Sequence, residues 1–124
     1  TMEEILECMH RLNSDWTVVC LDTGHVNLLR ESPAIAARKL GGSLKLLHVH
    51  DNYGINDDHL ACGYGIINWG EFLEALKDIG YSGEFSSEAG NTVHSLPKEL
   101  SKQGVRLVGD ISRVLLARHG IQVE

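Results

Sequence analysis

The sequence predicts an α/β domain of parallel strands, either a doubly wound sheet or about half of a (β/α)8 barrel. Three observations carry that reading. Short apolar runs alternate along the chain with amphipathic helical patterns. Glycines and a Ser-Pro pair punctuate the boundaries between them. The 124 residues amount to about half of the roughly 250 that a complete barrel needs, at about 31 per βα unit.

Each element has its own warrant. Residues 2–12 place Met2, Ile5, Leu6, Met9 and Leu12 on one helical face. Trp16 to Leu21, with β-branched Val18 and Val19, predicts a strand buried on both sides. Ser32 is a natural N-cap with Pro33 at the first helical position, and that helix runs through Ile35 and Leu40 to Gly41-Gly42. Leu44 to Val49 predicts a second buried strand. Asn68-Trp69-Gly70-Glu71 has capping-box spacing, and the helix behind it carries Phe72, Leu73, Leu76 and Ile79 and ends at Gly80. Glu84 to Ser87 predicts a third strand. Pro97 to about His119 predicts a last helix, with Leu100, Leu107, Val108, Ile111, Val114 and Leu115 facing inward. Gly104 and Gly109 weaken it by about 1 kcal/mol each relative to Ala and mark where it could break.

The predicted order is αβαβαβα, three parallel strands joined by right-handed crossovers. No Pro-rich linker or low-complexity run divides residues 1–124, which read as one domain. The chain opens at Thr1 with a helix that no strand precedes, so the expectation is the C-terminal half of a longer barrel protein. Three strands alone leave two open edges and an uncovered inner face, where Val18, Cys20 and Leu46 would meet water; self-association into a homo-oligomer is expected.

Composition narrows the partners. Eleven Lys and Arg against seventeen Asp and Glu give a net charge of −6, which does not suit a nucleic-acid surface. Apolar runs such as Val18 to Leu21 are far short of the roughly 20 residues that span a bilayer, and no basic-then-apolar leader opens the chain. Cys8, Cys20 and Cys62 show no CxxC spacing and read as reduced, buried thiols of a cytoplasmic protein. Histidine is the outlier: seven copies, five of them between residues 25 and 94.

Parallel strands bring their C-terminal ends to one face, where barrels keep their chemistry. The residues closing the three predicted strands are Asp22, His50 and Glu88, separated by 28 and 38 residues, each about one βα unit. Carboxylate, imidazole and carboxylate at one point suit one divalent cation of the Mn, Mg, Co or Zn kind. Each has a plainer reading alone, since a strand-end Asp caps turns and a single His is commonly a hydrogen-bonded core side chain. His25 follows in Asp22-Thr23-Gly24-His25, where a positive φ at Gly24 would turn the chain back over the strand end toward metal or substrate. In His48-Val49-His50 the two imidazoles share a strand face; His48 is expected to lie deeper, as a core imidazole, and His50 to be the ligand. Asp57-Asp58-His59, ahead of Gly63-Tyr64-Gly65, is either a solvated acidic loop or a second-metal or substrate loop contributing Asp57 and His59. Asn91 and His94, after Glu88, are further candidates for substrate contact. No nucleophile elbow, phosphate loop or dinucleotide fingerprint is present.

The segments Cys20 to His25, Leu47 to Asn52, Asp57 to Leu60 with Gly63-Tyr64-Gly65, Asn68-Trp69, Leu76 to Gly83 and the strand ending at Glu88 together resemble the sugar isomerase and epimerase family built on the xylose-isomerase-like barrel. The resemblance covers residues 16 to about 90. It implies that Asp22, His50 and Glu88 are three of four metal ligands, that His25 meets the substrate, and that the fourth ligand is a glutamate on the strand before Asp22, outside this chain. It further implies proton transfer through an enediolate stabilised by the cation, with Glu88 as acid or base, on a small-molecule sugar or sugar phosphate. The 124 residues alone would then be inactive. Tyr64 departs from the pattern, standing where many relatives carry Glu. The same scaffold also resembles apurinic endonucleases, multi-zinc phosphodiesterases in which a D-x-H pair adds ligands, as Asp57 and His59 would. A non-catalytic metabolite-binding barrel is the third reading.

Overall fold

Three parallel strands in the order β1-β2-β3 form the sheet at the centre of the computed structural model, which describes residues 1–121. In chain order the elements are α1 (Met2–Leu12), β1 (Val19–Asp22), α2 (Thr23–Leu28), α3 (Pro33–Leu40), β2 (Leu44–Val49), α4 (Trp69–Asp78), β3 (Ser86–Ser87), α5 (Gly90–His94) and α6 (Ser101–Arg118). The parallel α/β reading holds. Two short helices are added to it, α2 directly after β1 and α5 directly after β3. Both are too short for a 3.6-residue period to register in the sequence.

The helix boundaries follow local chemistry. The Ser32 side chain accepts the Ile35 N–H ahead of Pro33, and Gly41 at φ 51° ends α3. The Asn68 side chain accepts the Glu71 N–H to start α4, and Gly80 at φ 64° turns the chain after it. The last helix begins only at Ser101, preceded by a 3-10 turn, and runs unbroken through Gly104 and Gly109. A Cβ at Gly104 would meet Leu96 Cδ1 at 2.7 Å, so close packing selects glycine there.

One face of the sheet is dry. Val19, Leu21, Leu47 and Val49 point into a core with Ala34, Ala37 and Leu40 of α3 and Phe72, Leu73 and Leu76 of α4. Each Val, Leu and Phe side chain among them, fully buried, contributes roughly 1.5–3 kcal/mol. The other face is open: Val18 is 48% and Leu46 46% exposed, and Cys20 is exposed beside them. The strands therefore alternate, and the expectation of strands buried on both sides is corrected for the described chain. Trp16 lies in a turn at 96% exposure, outside the strand assigned to it. Ile5 and Leu12 of α1, and Leu100, Leu107 and Val114 near and along α6, also face outward. Of the three cysteines only Cys62 is buried, the others being exposed, because Cys8 is on the outer side of α1 and Cys20 on the open sheet face. No helix of the described residues is long and apolar enough to cross a membrane.

Two measurements check this packing. Burial pushes the Cys62 thiol up to about 12, so a thiol reagent at mildly alkaline pH modifies Cys8 and Cys20 in the folded chain and Cys62 only after denaturant is added. Gly24, inside α2, has no room for a methyl: its Cβ would overlap the His50 ring. Gly24→Ala, a change that otherwise favours a helix, is expected to lower stability in urea unfolding by about 1–3 kcal/mol.

Candidate metal centre

The strand register assembles the first part of the site. Asp22 ends β1 directly beside His48 of β2, and His48 pairs in turn with Ser86 of β3. Glu88 lies two residues further on, its N–H donating to the Val49 carbonyl at 2.9 Å as the ladder continues. Side chains alternate along a strand, so Asp22, His48 and Glu88 emerge on the open face. His48 Nδ1 stands 3.1 Å from Glu88 Oε1, and one donor atom from each of the three lies within 4.8 Å of the others.

His50 is placed differently from the expectation. Its backbone is bracketed by Thr23, whose hydroxyl donates to the His50 carbonyl at 2.8 Å and accepts the His50 N–H at 3.1 Å. β2 has ended at Val49, and the ring tucks under α2 against Gly24, with no exposure at all. His48, by contrast, is half-exposed on the open face. The order of depth is thus the reverse of that expected, because the sheet stops one residue before His50. The His50 Nε2 is 3.0 Å from Asp22 Oδ1 and 3.7 Å from Asp57 Oδ1. Neither contact is aligned as a hydrogen bond, and both ring nitrogens of this buried imidazole lack a partner.

Residues 52–67 bring the second part. Asp57 Oδ2 is 3.2 Å from His25 Nε2 and 3.2 Å from His59 Nε2. His59 Nδ1 lies 2.9 Å from the Glu88 carbonyl, which can only accept, so Nδ1 carries the proton and Nε2 faces Asp57. The His59 ring stacks on His50 with centroids 4.0 Å apart. His59 holds φ at 44°, a left-handed conformation that costs a non-glycine residue about 1–2 kcal/mol. The predicted turn at Gly24 does not occur: Asp22 caps α2 by accepting the His25 N–H at 2.9 Å, and the helix itself carries His25 over the strand ends. Its Nδ1 is then 3.4 Å from Asp22 Oδ2. Asn91 donates to the Asp58 carbonyl at 2.9 Å and thereby braces the loop, while His94 is exposed.

The sequence reading named Asp22, His25, His50, Asp57, His59 and Glu88, and all six meet in this cluster, joined by His48. Groups of three donors within 4.8 Å also include Asp22–His25–His50 and His50–His59–Glu88. Thr23, Asp51 and Asn52, which hold the cluster from behind, were not singled out; wholly buried polar residues beside a strand end leave no periodic signal.

Charge balance tests whether a cation fits. Burial works against ionisation of Asp22, yet the adjacent His50 ring, the His25 N–H and the two imidazoles together hold its carboxyl below the usual aspartate range. Burial likewise disfavours charge on His50, and Asp22 and Asp57 outweigh it, holding that imidazole above its ordinary value. Three carboxylates and four imidazoles thus lie together in overlapping donor groups joined through Asp57, with two buried nitrogens unbonded among the described residues. Mixed oxygen and nitrogen donors of this kind suit a divalent cation.

Known proteins are similar to this chain in sequence and fold. A family model described as the xylose isomerase-like TIM barrel matches residues 1–110. An uncharacterised protein of Methanocaldococcus jannaschii is 37% identical over 114 residues, covering 89% of this chain and 39% of its own length. A D-psicose 3-epimerase of Enterocloster bolteae is 34% identical over 83 residues, 67% of this chain and 26% of its own. A crystal structure of a D-tagatose 3-epimerase-like protein superposes with a TM-score of 0.70 at 30% identity, covering 95% of this chain and 43% of that one. The D-psicose 3-epimerase of Clostridium cellulolyticum, solved with D-tagatose, gives 0.73 at 25% identity over 94% and 44%. The chain thus spans less than half the length of the relatives it matches, and its open three-stranded sheet is part of a barrel. From residues 1–110, by sequence model and by superposition alike, the chain belongs to the xylose isomerase-like TIM barrel family.

Proposed function

We propose that the chain supplies one side of the pocket of a divalent-metal-dependent epimerase or isomerase acting on a small sugar or sugar phosphate. The observation that carries the reading is the convergence of Asp22, His50 and Glu88, in overlapping donor groups with His25, His48 and His59, at and just beyond the ends of three parallel strands, in a chain similar to D-psicose 3-epimerases. Asp22 and Glu88 are the carboxylate ligands. His50 is the imidazole ligand: its Nε2 stands 3.0 Å from Asp22 Oδ1 and both its buried ring nitrogens are without a hydrogen-bond partner among the described residues, whereas His48 pairs with Glu88 on the open face.

A divalent cation held there would polarise the sugar oxygens beside the reacting carbon and so acidify its C–H. Glu88 takes or returns that proton, its carboxylate becoming the carboxylic acid and back. Epimerisation needs a second acid–base group on the opposite face of the carbon, and the remainder of the barrel must provide it. His25, more than half exposed beside Asp22, reaches a substrate oxygen. Activity therefore belongs to the whole barrel, and the 124 residues alone turn over no sugar.

One observation favours a second reading. Asp57 sits between His25 and His59 at 3.2 Å from each, a geometry that would hold a second ion and serve a multi-zinc phosphodiesterase. Metal stoichiometry separates the two: the epimerase reading expects one Mn²⁺ or Co²⁺ per chain in calorimetry, the phosphodiesterase two or more zinc ions and cleavage at abasic sites. Retention of no cation after dialysis would favour a non-catalytic metabolite-binding barrel.

Two variants test the ligand assignment. His50→Gln and Glu88→Gln are each expected to weaken Co²⁺ binding by about 10-fold or more, a loss of one donor being worth roughly 1.4 kcal/mol at least. Affinity should also fall as pH drops, starting above the ordinary imidazole range, because Asp22 and Asp57 hold His50 above its usual value and it must shed its proton to bind. In the complete barrel, Glu88→Gln is expected to lower kcat by about 10²–10⁴-fold with KM little changed; a full-rate variant overturns its role.

A further inference from the structure

Asp51 is an acidic side chain buried without any cation beside it. It is wholly inaccessible, and its carboxylate accepts four N–H groups: Asn52 N at 2.9 Å and Ile67 N at 3.2 Å on Oδ1, Gly63 N at 3.0 Å and Trp69 Nε1 at 2.8 Å on Oδ2. Burying an ionised carboxylate costs several kcal/mol unless such bonds replace its water. Its donors come from both ends of the segment that carries Asp57 and His59. The Asp51 backbone adds a second clasp, exchanging N–H and C=O with Leu60 at 2.8 and 2.9 Å. The chain wraps the carboxylate so tightly that a Cβ at Gly65 would overlap Asp51 Oδ1 and the Asn52 carbonyl. This accounts for the second glycine of Gly63-Tyr64-Gly65, which had no role in the sequence reading.

Asn52 extends the same hold to the other side of the site. Its Nδ2 donates to the Gly24 carbonyl at 2.9 Å, and its Oδ1 accepts from Asn27 Nδ2 at 2.8 Å and from Gly54 N at 2.9 Å. Gly24 and Asn27 flank His25 on α2. One buried pair thus ties three segments together: α2 with His25, the loop with Asp57 and His59, and the start of α4 at Trp69.

We propose that Asp51 is a positioning residue that sets where Asp57 and His59 stand against His50 and Glu88, and so sets the cation affinity of the cluster without touching the cation. The proposal rests on the metal-centre reading above, and its test has an arm that does not. Asp51→Asn keeps the shape but turns a nitrogen donor toward two N–H groups. The control is Leu44→Ala, a core truncation at the opposite end of β2 from the loop contacts.

In the metal-free 124-residue chain, Asp51→Asn is expected to shift the His25 and His59 ring Hε1 signals in NMR, and to move the Trp69 indole N–H upfield, while the His119 signal stays in place. Leu44→Ala lowers the melting temperature but moves none of the loop signals. With Co²⁺ added, Asp51→Asn is expected to weaken binding by about 10–100-fold, the range for a residue that orients ligands, and Leu44→Ala to leave it unchanged. Unmoved His25 and His59 signals in Asp51→Asn overturn the proposal, as does an equal loss of Co²⁺ affinity in both variants. Shifted rings in a chain that binds no Co²⁺ would sustain the positioning role and refute the metal centre instead.

Discussion

The in-register parallel pairing of β1 with β2 is the constraint on which the rest depends. It sets Cys20 beside Leu46 and, one step further along the same face, Asp22 beside His48. The open face thus changes from apolar to polar within a single ladder step. Below that step the side chains suit a packed barrel interior; above it they suit water and ions. A one-residue slip of β1 would send Asp22 under the helices and put Leu21 on the open face, and a slip of β2 would do the same with His48 and Leu47. The dry face prevents the slip, because those leucines and Val49 are held by α3 and α4. The chemistry of one face is kept in place by the hydrophobic packing of the other.

His50 shows how the site is shaped just beyond the sheet. Once β2 ends, its backbone groups must be satisfied by something other than a strand, and the Thr23 hydroxyl serves both its N–H and its C=O. The ring then fills the space that Gly24 leaves open. A buried aromatic wedge of this sort gives His59 a surface to stack on, which helps hold that residue in its left-handed conformation. Strain at His59 is thereby offset by contacts on two sides: the stack on His50 and the bond to the Glu88 carbonyl.

The elements with a clear period or punctuation were legible before the coordinates. Ser32-Pro33, Asn68 with Glu71, and the stop glycines at 41 and 80 marked real boundaries, since capping depends on a few adjacent residues. The clustering of Asp22, His25, Asp57, His59 and Glu88 was legible because parallel strands must end on one side. Three things were not. The relative depth of His48 and His50 depends on where the strand stops, and strand ends are set by tertiary hydrogen bonds. The outward stripe of Leu100, Leu107 and Val114 reads like a core stripe in any one-dimensional pattern. The purpose of Gly24 and Gly65 is close approach to a side chain distant in sequence, which composition does not encode.

The same asymmetry separates stability from activity. The helix-covered face buries Phe72, Leu73, Leu47 and Val49 almost completely, packed against one another within the described residues. The open face has no such closure: Val18 and Leu46 stay about half exposed, and the ligand cluster has solvent where an enclosed pocket would have walls. Charge–charge attraction across that opening is weakened by water, and a sugar bound there would remain hydrated on one side. Closing the barrel would bury the apolar layer and lower the dielectric around the polar layer above it in one event. Packing of the lower layer would then supply part of the free energy needed to desolvate Asp22, His48 and Glu88, which is why the two layers lie one step apart on the same strands.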